Sequence, residues 1–444
     1  MTSQSKKFFS LISVLIFLIP LSPLINEKLC FSDTPFENNS ILNGGWLEEQ
    51  NGVKILHLNG SYYDMGYQHG FLLKEEVLQN FRAFIDASNQ HGWNYDKLVD
   101  IWEVMKNYLP QDFIEEMWGM ANGSGLTFEQ VTILHTVPAV INLFSCWGSA
   151  AWGTATTDGT LVHVRSLDGI YTIQDPISGT YLHDNQVLII RKPENGFASM
   201  CPQFSGDICC WGGINENGIA IGELSQWCTD TTFHGINGAF RMRMVMDYAS
   251  TASDALDIMN SNRTCGWNFI VTDSKIPNGF IVEQTANLLY VGEWMNPTES
   301  IPPFWTIEDV VRRGNLFINP LLAALQRDIY DPSGFAGFAR FMFGKNSYFV
   351  VWSQYKAMSD EIERQYGNLD LDTTIWLMRH VYKGRTSIIF NFMRKIGVYQ
   401  PAHQWVACPE RGDMVISFAE GKTLADKTSI HYFNLFELLQ SEIP

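Results

Sequence analysis

The chain runs to 444 residues, 46% of them hydrophobic and 17% charged, with a formal net charge of −17. That length and apolar content can bury one large core or two moderate ones, and the acidic balance argues against nucleic acid, or an anionic membrane surface, as the main partner. No zinc-finger spacing, His-Glu-x-x-His, phosphate loop, dinucleotide glycine fingerprint or Gly-x-Ser-x-Gly elbow occurs, so neither a metal nor an organic cofactor is expected.

Lys6 and Lys7 precede an apolar run from Phe8 to Ile25, interrupted by Pro20 and Pro23. This is the layout of a secretory signal, so residues 1–30 read as a signal peptide, with an uncleaved N-terminal anchor as the alternative. The implied location is extracytoplasmic, either secreted or lysosome-like. Val53 to Leu58 reads as a strand and Asn59-Gly60-Ser61 as a turn. Tyr62 to Gly70 then leads into a helix reaching about His91. Further helices are expected near Asp96–Met120 and Thr127–Asn142, the second opening with a capping box of Thr127 and Gln130.

From Cys146 the texture changes to strands, at Trp147–Thr156, Thr160–Leu167, Gln186–Lys192, Ile208–Ile214, Gly218–Leu224, Trp267–Thr272, Gly279–Glu283 and Leu289–Val291. Helices near Phe240–Ala249 and Ala252–Asn260 interrupt the series. Glu293 to about Gly397 reads as mainly helical, and strands at Gln404–Cys408 and Met414–Phe418 close the chain. Such an order fits a layered α+β architecture.

Asp158-Gly159 is a hairpin signal, because tight reversals need the φ angles that Gly and Asp tolerate. A hairpin closed there makes Cys146 and Asp168 neighbours at its open end, with Arg165 close by. That collects a thiol, a carboxylate and a guanidinium at one end of a sheet. Arg165 and Asp168 have opposite parity, so both reach the thiol only if the strand ends or bulges between them. The plain alternative is a small buried cysteine beside a structural ion pair.

Eight cysteines occur. Apart from Cys30 and Cys146 an even number is left, which permits disulfides in an exported chain without fixing their pairing. Cys201, Cys209, Cys210 and Cys228 invite a metal reading, but their spacing matches no zinc motif. His69 and His163 have no evident partners and read as structural. The aromatic, Gly-punctuated run from Phe335 to Phe343 reads either as a lid over an acyl group or as a buried helix pair.

Four stretches together carry a family resemblance. They are Gly60-Ser61-Tyr62-Tyr63-Asp64-Met65-Gly66-Tyr67-Gln68-His69-Gly70, Met117 to Thr127, Cys146 with Arg165-Ser166-Leu167-Asp168, and the strands Gly213–Ile219 and Trp267–Asp273. In these the chain resembles the acyl-coenzyme A:isopenicillin N acyltransferase family of self-processing N-terminal-nucleophile (Ntn) hydrolases, related to the choloylglycine hydrolases. The resemblance implies a four-layer αββα sandwich with residues 31–145 as a helical pro-segment. Residues 146–444 would then form the catalytic chain, with a helical insertion at about 293–397.

The same resemblance implies roles for individual residues. Cys146 attacks the Ser145 carbonyl, and water opens the resulting thioester. The freed α-amine of Cys146 then serves as its own base, with no separate histidine. Arg165 favours the thiolate, Asp168 orients the ammonium, and Asn268 donates to the oxyanion. Ser225 stands where several relatives carry Asn and is the candidate for a further oxyanion or substrate contact. The implied activity is hydrolysis of a linear amide in an N-acylated small molecule or lipid, with the cleaved N-terminal fragment as partner. Acyl transfer through the same acyl-enzyme, phospholipase B-like lipid hydrolysis and a non-catalytic binding role are the alternatives.

Overall fold

Strands and helices alternate in patches along the chain, and their pairings assemble two sheets. The computed structural model describes residues 41–42, 44–140, 145–169, 172–326, 330–382 and 400–441. The expected signal at residues 1–30 lies outside these. Strands are numbered β1 Ile41–Leu42, β2 Gly45–Gln50, β3 Val53–Gly60, β4 Ser145–Ala151, β5 Val162–Gly169, β6 Gln186–Pro193, β7 Ser199–Phe204 and β8 Gly212–Asn215. They continue as β9 Ile219–Ser225, β10 Trp267–Asp273, β11 Asn278–Gln284, β12 Leu289–Gly292, β13 Val310–Gly314, β14 Gln400–Cys408, β15 Asp413–Phe418 and β16 His431–Asn434. The helices are α1 Tyr62–Leu72, α2 Lys74–Gln90, α3 Tyr95–Met105, α4 Gln111–Ser124, α5 Phe128–Val140, α6 Gly238–Tyr248 and α7 Ala252–Asn260. After them come α8 Pro320–Ala323, α9 Gly334–Met342, α10 Tyr348–Arg364, α11 Leu371–Val381 and α12 Leu435–Gln440.

One sheet has ten strands in the order β1-β2-β3-β6-β7-β8-β9-β10-β11-β12, and the other has six in the order β13-β4-β5-β14-β15-β16. All pairs are antiparallel except β3 with β6. The sheets face each other, β4 and β5 packing on β9 and β13 on β10 and β11. Helices α1, α6 and α7 lie on the ten-stranded sheet, whereas α10 and α11 lie on the six-stranded one. The result is the αββα arrangement that the family resemblance implies. The central strands β5, β9 and β10 are buried on both faces, so the polar side chains they carry must find partners inside.

Several elements differ from the sequence reading. The first long helix breaks at Leu73, and the second is split by Pro110, which begins α4. The hairpin between β4 and β5 turns through residues 152–161 rather than through two residues. Trp152 N and Thr154 N donate to the backbone and side chain of Asp309, which draws the chain out before it reverses. Ser199–Phe204 is a strand despite Pro202, which pairs opposite Leu188. The stretch read as helical from Glu293 contributes β13, the edge strand beside β4.

The glycine-rich motif near residue 66 has a packing cause. A Cβ on Gly66 would lie 1.9 Å from the Glu116 carbonyl oxygen, and one on Gly119 would lie 2.0 Å from that of Tyr63. Backbones of α1 and α4 therefore touch directly, which only glycine permits. Next to this contact Arg243 forms fully buried ion pairs with Glu116 and Asp247.

Candidate active site

β4 and β5 are in register with Ser145 opposite Asp168, Cys146 opposite Leu167 and Gly148 opposite Arg165. The strand stays regular to Gly169, so the parity conflict resolves by separation rather than by a bulge. Arg165 turns toward the ten-stranded sheet, whereas Asp168 turns toward the helices. Arg165 thus reaches the thiol directly and Asp168 does not.

Cys146 is fully buried. Its Sγ lies 3.5 Å from Arg165 Nη2 and 3.5 Å from Glu223 Oε1 on β9, to which the thiol donates. Arg165 and Glu223 form a buried ion pair, and Arg165 Nε also donates to the Glu223 carbonyl at 3.2 Å. The third arm of the guanidinium, Nη1, is 3.1 Å from His403 Nε2, while His403 Nδ1 is 2.7 Å from Gln186 Oε1. With the His403 proton on Nδ1, Nε2 accepts from the cation and the chain of bonds closes. Gly222 leaves the space Arg165 needs, since a Cβ there would sit 3.2 Å from Arg165 Cδ.

The electrostatics follow from burial. Burial pushes the Cys146 thiol well above its ordinary value; the Glu223 carboxylate pushes the same way and the Arg165 guanidinium opposes. Burial also raises Glu223, again against the pull of Arg165. Burial holds His403 well below the usual histidine range, and Arg165 adds to that. The thiol is therefore held protonated, with its proton directed at the Glu223 carboxylate.

The main-chain nitrogen of Cys146 donates to Asn315 Oδ1 at 2.6 Å, and Asn315 Nδ2 donates to the Ser225 carbonyl at 2.5 Å. Asn315 follows β13 and joins the start of β4 to the end of β9. Asn268 on β10 holds this segment from behind: its Nδ2 donates to the carbonyls of Gly314 at 3.0 Å and Leu316 at 2.8 Å. Both hydrogens of Asn268 are thus engaged with the segment that carries Asn315. Glu283 adds a second anchor, accepting from Ile318 N and Asn319 N while paired with Arg313.

Asp168 is buried and accepts from Tyr382 Oη at 2.7 and 2.9 Å, from Ser166 Oγ at 2.9 Å and from Gln354 Nε2 at 3.2 Å. Trp147 Nε1 in turn donates to Tyr382 Oη at 2.5 Å. Asp168 pairs across the ladder with Ser145, and its charge raises the Cys146 thiol further. Ser225 lines a cavity of about 300 Å³ with Gln226 and the aromatic rings of Trp211, Trp227, Phe233 and Trp267. Pro138 to Val140, at the end of α5, form its other wall.

The remaining expectations fall away from this centre. His163 Nδ1 meets Thr272 Oγ1 at 3.0 Å between the sheets, and His69 Nε2 accepts from Gly206 N at 2.9 Å. Among the described residues Cys146, Cys201, Cys209, Cys210 and Cys408 are free thiols, with Cys201 and Cys210 sulfurs 3.6 Å apart. Among the described residues no group of three or more His, Cys, Asp and Glu side chains is placed to hold a metal ion. Glu223 and Asn315 are the residues that sequence reasoning missed. The signal for Glu223 was present, as a lone acid inside the apolar strand Ile219–Ser225; for Asn315 no local signal existed.

Comparisons with known proteins bear out the family resemblance. Residues 161–296 match the sequence family described as acyl-coenzyme A:6-aminopenicillanic acid acyl-transferase. Protein dcd1B of Dictyostelium discoideum is 24% identical over 308 residues, covering 63% of this chain and 59% of that protein. An uncharacterized protein of Archaeoglobus fulgidus is 26% identical, covering 72% of this chain and 57% of that protein. The matches therefore span less than two thirds of these relatives' own length. Among solved structures, a conjugated bile acid hydrolase from Clostridium perfringens aligns at 15% identity and TM-score 0.37, over 66% of this chain and 93% of that one. Penicillin V acylase from Agrobacterium tumefaciens aligns at 12% identity and TM-score 0.39, over 66% of this chain and 87% of that one.

Proposed function

With residues 161–296 matching an acyl-transferase family, we propose that the chain is a cysteine N-terminal-nucleophile enzyme that cuts itself before Cys146 and then cleaves a linear amide of an N-acylated small molecule or lipid. The observation that carries this reading is the environment of Cys146. Its thiol sits between Arg165 and Glu223, and its main-chain nitrogen is held by Asn315.

In the uncut chain the Cys146 nitrogen is an amide and cannot act as a base, so the thiol proton passes to Glu223. The sulfur adds to the Ser145 carbonyl and the carbon–nitrogen bond breaks. The nitrogen takes up a proton, leaving Ser145 joined to Cys146 as a thioester. Water adds to that thioester, releasing the Ser145 carboxylate and restoring the thiol. The new α-amine, held by Asn315 with Asp168 behind it, then takes the thiol proton during turnover. An incoming N-acyl compound places its acyl part in the aromatic cavity beside Ser225, where burial of apolar surface supplies the binding.

An intact mass of the wild-type protein beside Cys146→Ala tests the reading. Two wild-type pieces, the second beginning at Cys146, against one uncut variant are expected. A wild-type chain that stays whole on acidic incubation overturns self-processing. The family description favours one further reading, transfer of the acyl group to an amine. Adding a small primary amine to the turnover assay distinguishes the two, because a transferase forms the new amide faster than the free acid.

A further inference from the structure

α9 and its C-cap present a row of solvent-facing apolar side chains. Phe335 is 85% exposed, Met342 55% and Phe343 74%. Single exposed apolar residues are ordinary on protein surfaces, but three on one nine-residue helix and its cap are not. The opposite face of α9 is packed: Phe338 and Phe341 lie 5.7 and 5.9 Å, centroid to centroid, from Phe349 on α10. Neither sequence expectation describes this run fully, since one face is buried and the other bare.

The surface adjoins the mouth of the aromatic cavity. α10 begins at Tyr348, whose Oη donates to the Trp227 carbonyl at 3.5 Å; Trp227 lines the cavity and is itself 45% exposed. On the other side Thr229 N donates to the Leu325 carbonyl, which brings α8 alongside, with Leu321 71% exposed. The charge here lacks the acidic excess of the whole molecule. From Pro332 to Ser359 the chain has no Asp or Glu and carries Arg340, Lys345 and Lys356, within a protein of net charge −17. Arg340 pairs with Asp331 at 2.7 Å and Lys356 with Asp360 at 2.7 Å, while Lys345 stands exposed beside Phe343.

We infer that this face docks on an anionic phospholipid bilayer, with α9 lying in the interface, Phe335, Met342 and Phe343 in the acyl boundary and Lys345 at the headgroups. An amphipathic helix with apolar residues on one side and cations at its edge binds such a surface through both contributions. Among the described residues no helix is long and apolar enough to cross a membrane. Docking itself stands apart from the amide-hydrolase reading. Its consequence, that lipid substrates pass from the bilayer through the Trp227 mouth into the cavity, rests on that reading.

Co-sedimentation of the full chain with mixed phosphatidylcholine–phosphatidylserine vesicles, and with pure phosphatidylcholine vesicles, tests the inference. Wild type is expected to bind the mixed vesicles more tightly. Phe335→Ser with Phe343→Ser should weaken binding roughly tenfold or more, and Lys345→Glu should weaken it only on the anionic vesicles. These side chains are exposed, so the variants keep the fold, which circular dichroism checks. No vesicle binding by wild type, or equal binding by the double variant, overturns the inference. So does a wild-type dimer that the double variant abolishes without any vesicle binding, since a second copy then covers the face. Self-cleavage and hydrolysis of a water-soluble short-chain amide, followed in parallel, separate the two claims. Vesicle binding by an uncut, inactive chain overturns the enzyme reading alone, and a cut, active chain that ignores vesicles overturns docking alone.

Discussion

Asn315 Oδ1 accepts a hydrogen bond from the main-chain nitrogen of Cys146 at 2.6 Å, across 169 residues of sequence. The contact fixes the nitrogen that the proposed self-cleavage converts from amide to amine. Asn315→Ala should still fold, but lower both self-cleavage and turnover by on the order of 10²-fold through misplacement of that nitrogen. Asn268→Ala acts one step back. It removes the Asn268 donor from the Leu316 carbonyl and leaves the Gly314 carbonyl with Leu316 N, so a loss of about 1–3 kcal/mol in stability should accompany a smaller loss of rate. Denaturant unfolding beside a time course of chain cleavage reads both effects.

Glu223 is the group placed to take the thiol proton before any free amine exists. Glu223→Gln should slow self-cleavage by about 10²-fold or more. It also leaves Arg165 buried without its carboxylate, at a cost of about 3–5 kcal/mol. A variant that remains folded by circular dichroism and still cleaves at the wild-type rate removes Glu223 from the proton path.

The contact between α1 and α4 has no room for a methyl group. Gly66→Ala and Gly119→Ala each drive a Cβ into a backbone oxygen, so helix separation rather than side-chain adjustment must relieve the clash. A loss of about 1–3 kcal/mol is expected for each, read as a lowered Tm. The double variant should lose less than the sum, since one displacement serves both positions.

The buried histidines should make the fold sensitive to acid. Burial lowers His69 and His403 well below the ordinary range and brings His163 down to about 3. Each binds a proton in the unfolded chain near pH 6.5 but resists it when folded. The unfolded state therefore holds more protons across that window, and stability falls as pH drops from about 6.5 toward 3. Tm measured from pH 7 to pH 4 should decline steadily, and His163→Gln should flatten the decline.

Much of this architecture was legible because its signals are local. The switch to strands at Cys146, the Asp158-Gly159 reversal and the parity of Arg165 against Asp168 all come from short stretches. The parity argument anticipated what the structure does with the two side chains, sending one to each face. β13 was hidden because Val310-Val311-Arg312-Arg313-Gly314 carries two arginines that read as surface, yet both are buried. Arg313 pairs with Glu283 on β11 and with Glu299, neither of which is a neighbour along its own strand. Asn315 follows that strand and was lost with it. Pro202 masked β7 in the same way, since a proline inside a central strand argues against the strand on local grounds.

The position of β3 carries a further consequence. It lies between β2 and β6, so residues upstream of Ser145 supply three of the ten strands in the larger sheet. A cut before Cys146 would separate two polypeptides whose backbones remain laced together by hydrogen bonds. Neither half is then a free-standing protein: a 146–444 polypeptide made alone would present β6 as a bare edge, open to pairing with any extended chain nearby. Production of the protein from two separate messages should therefore require that both parts fold together, and under the proposed self-cleavage the upstream part would stay as a permanent subunit rather than leave as a discarded leader.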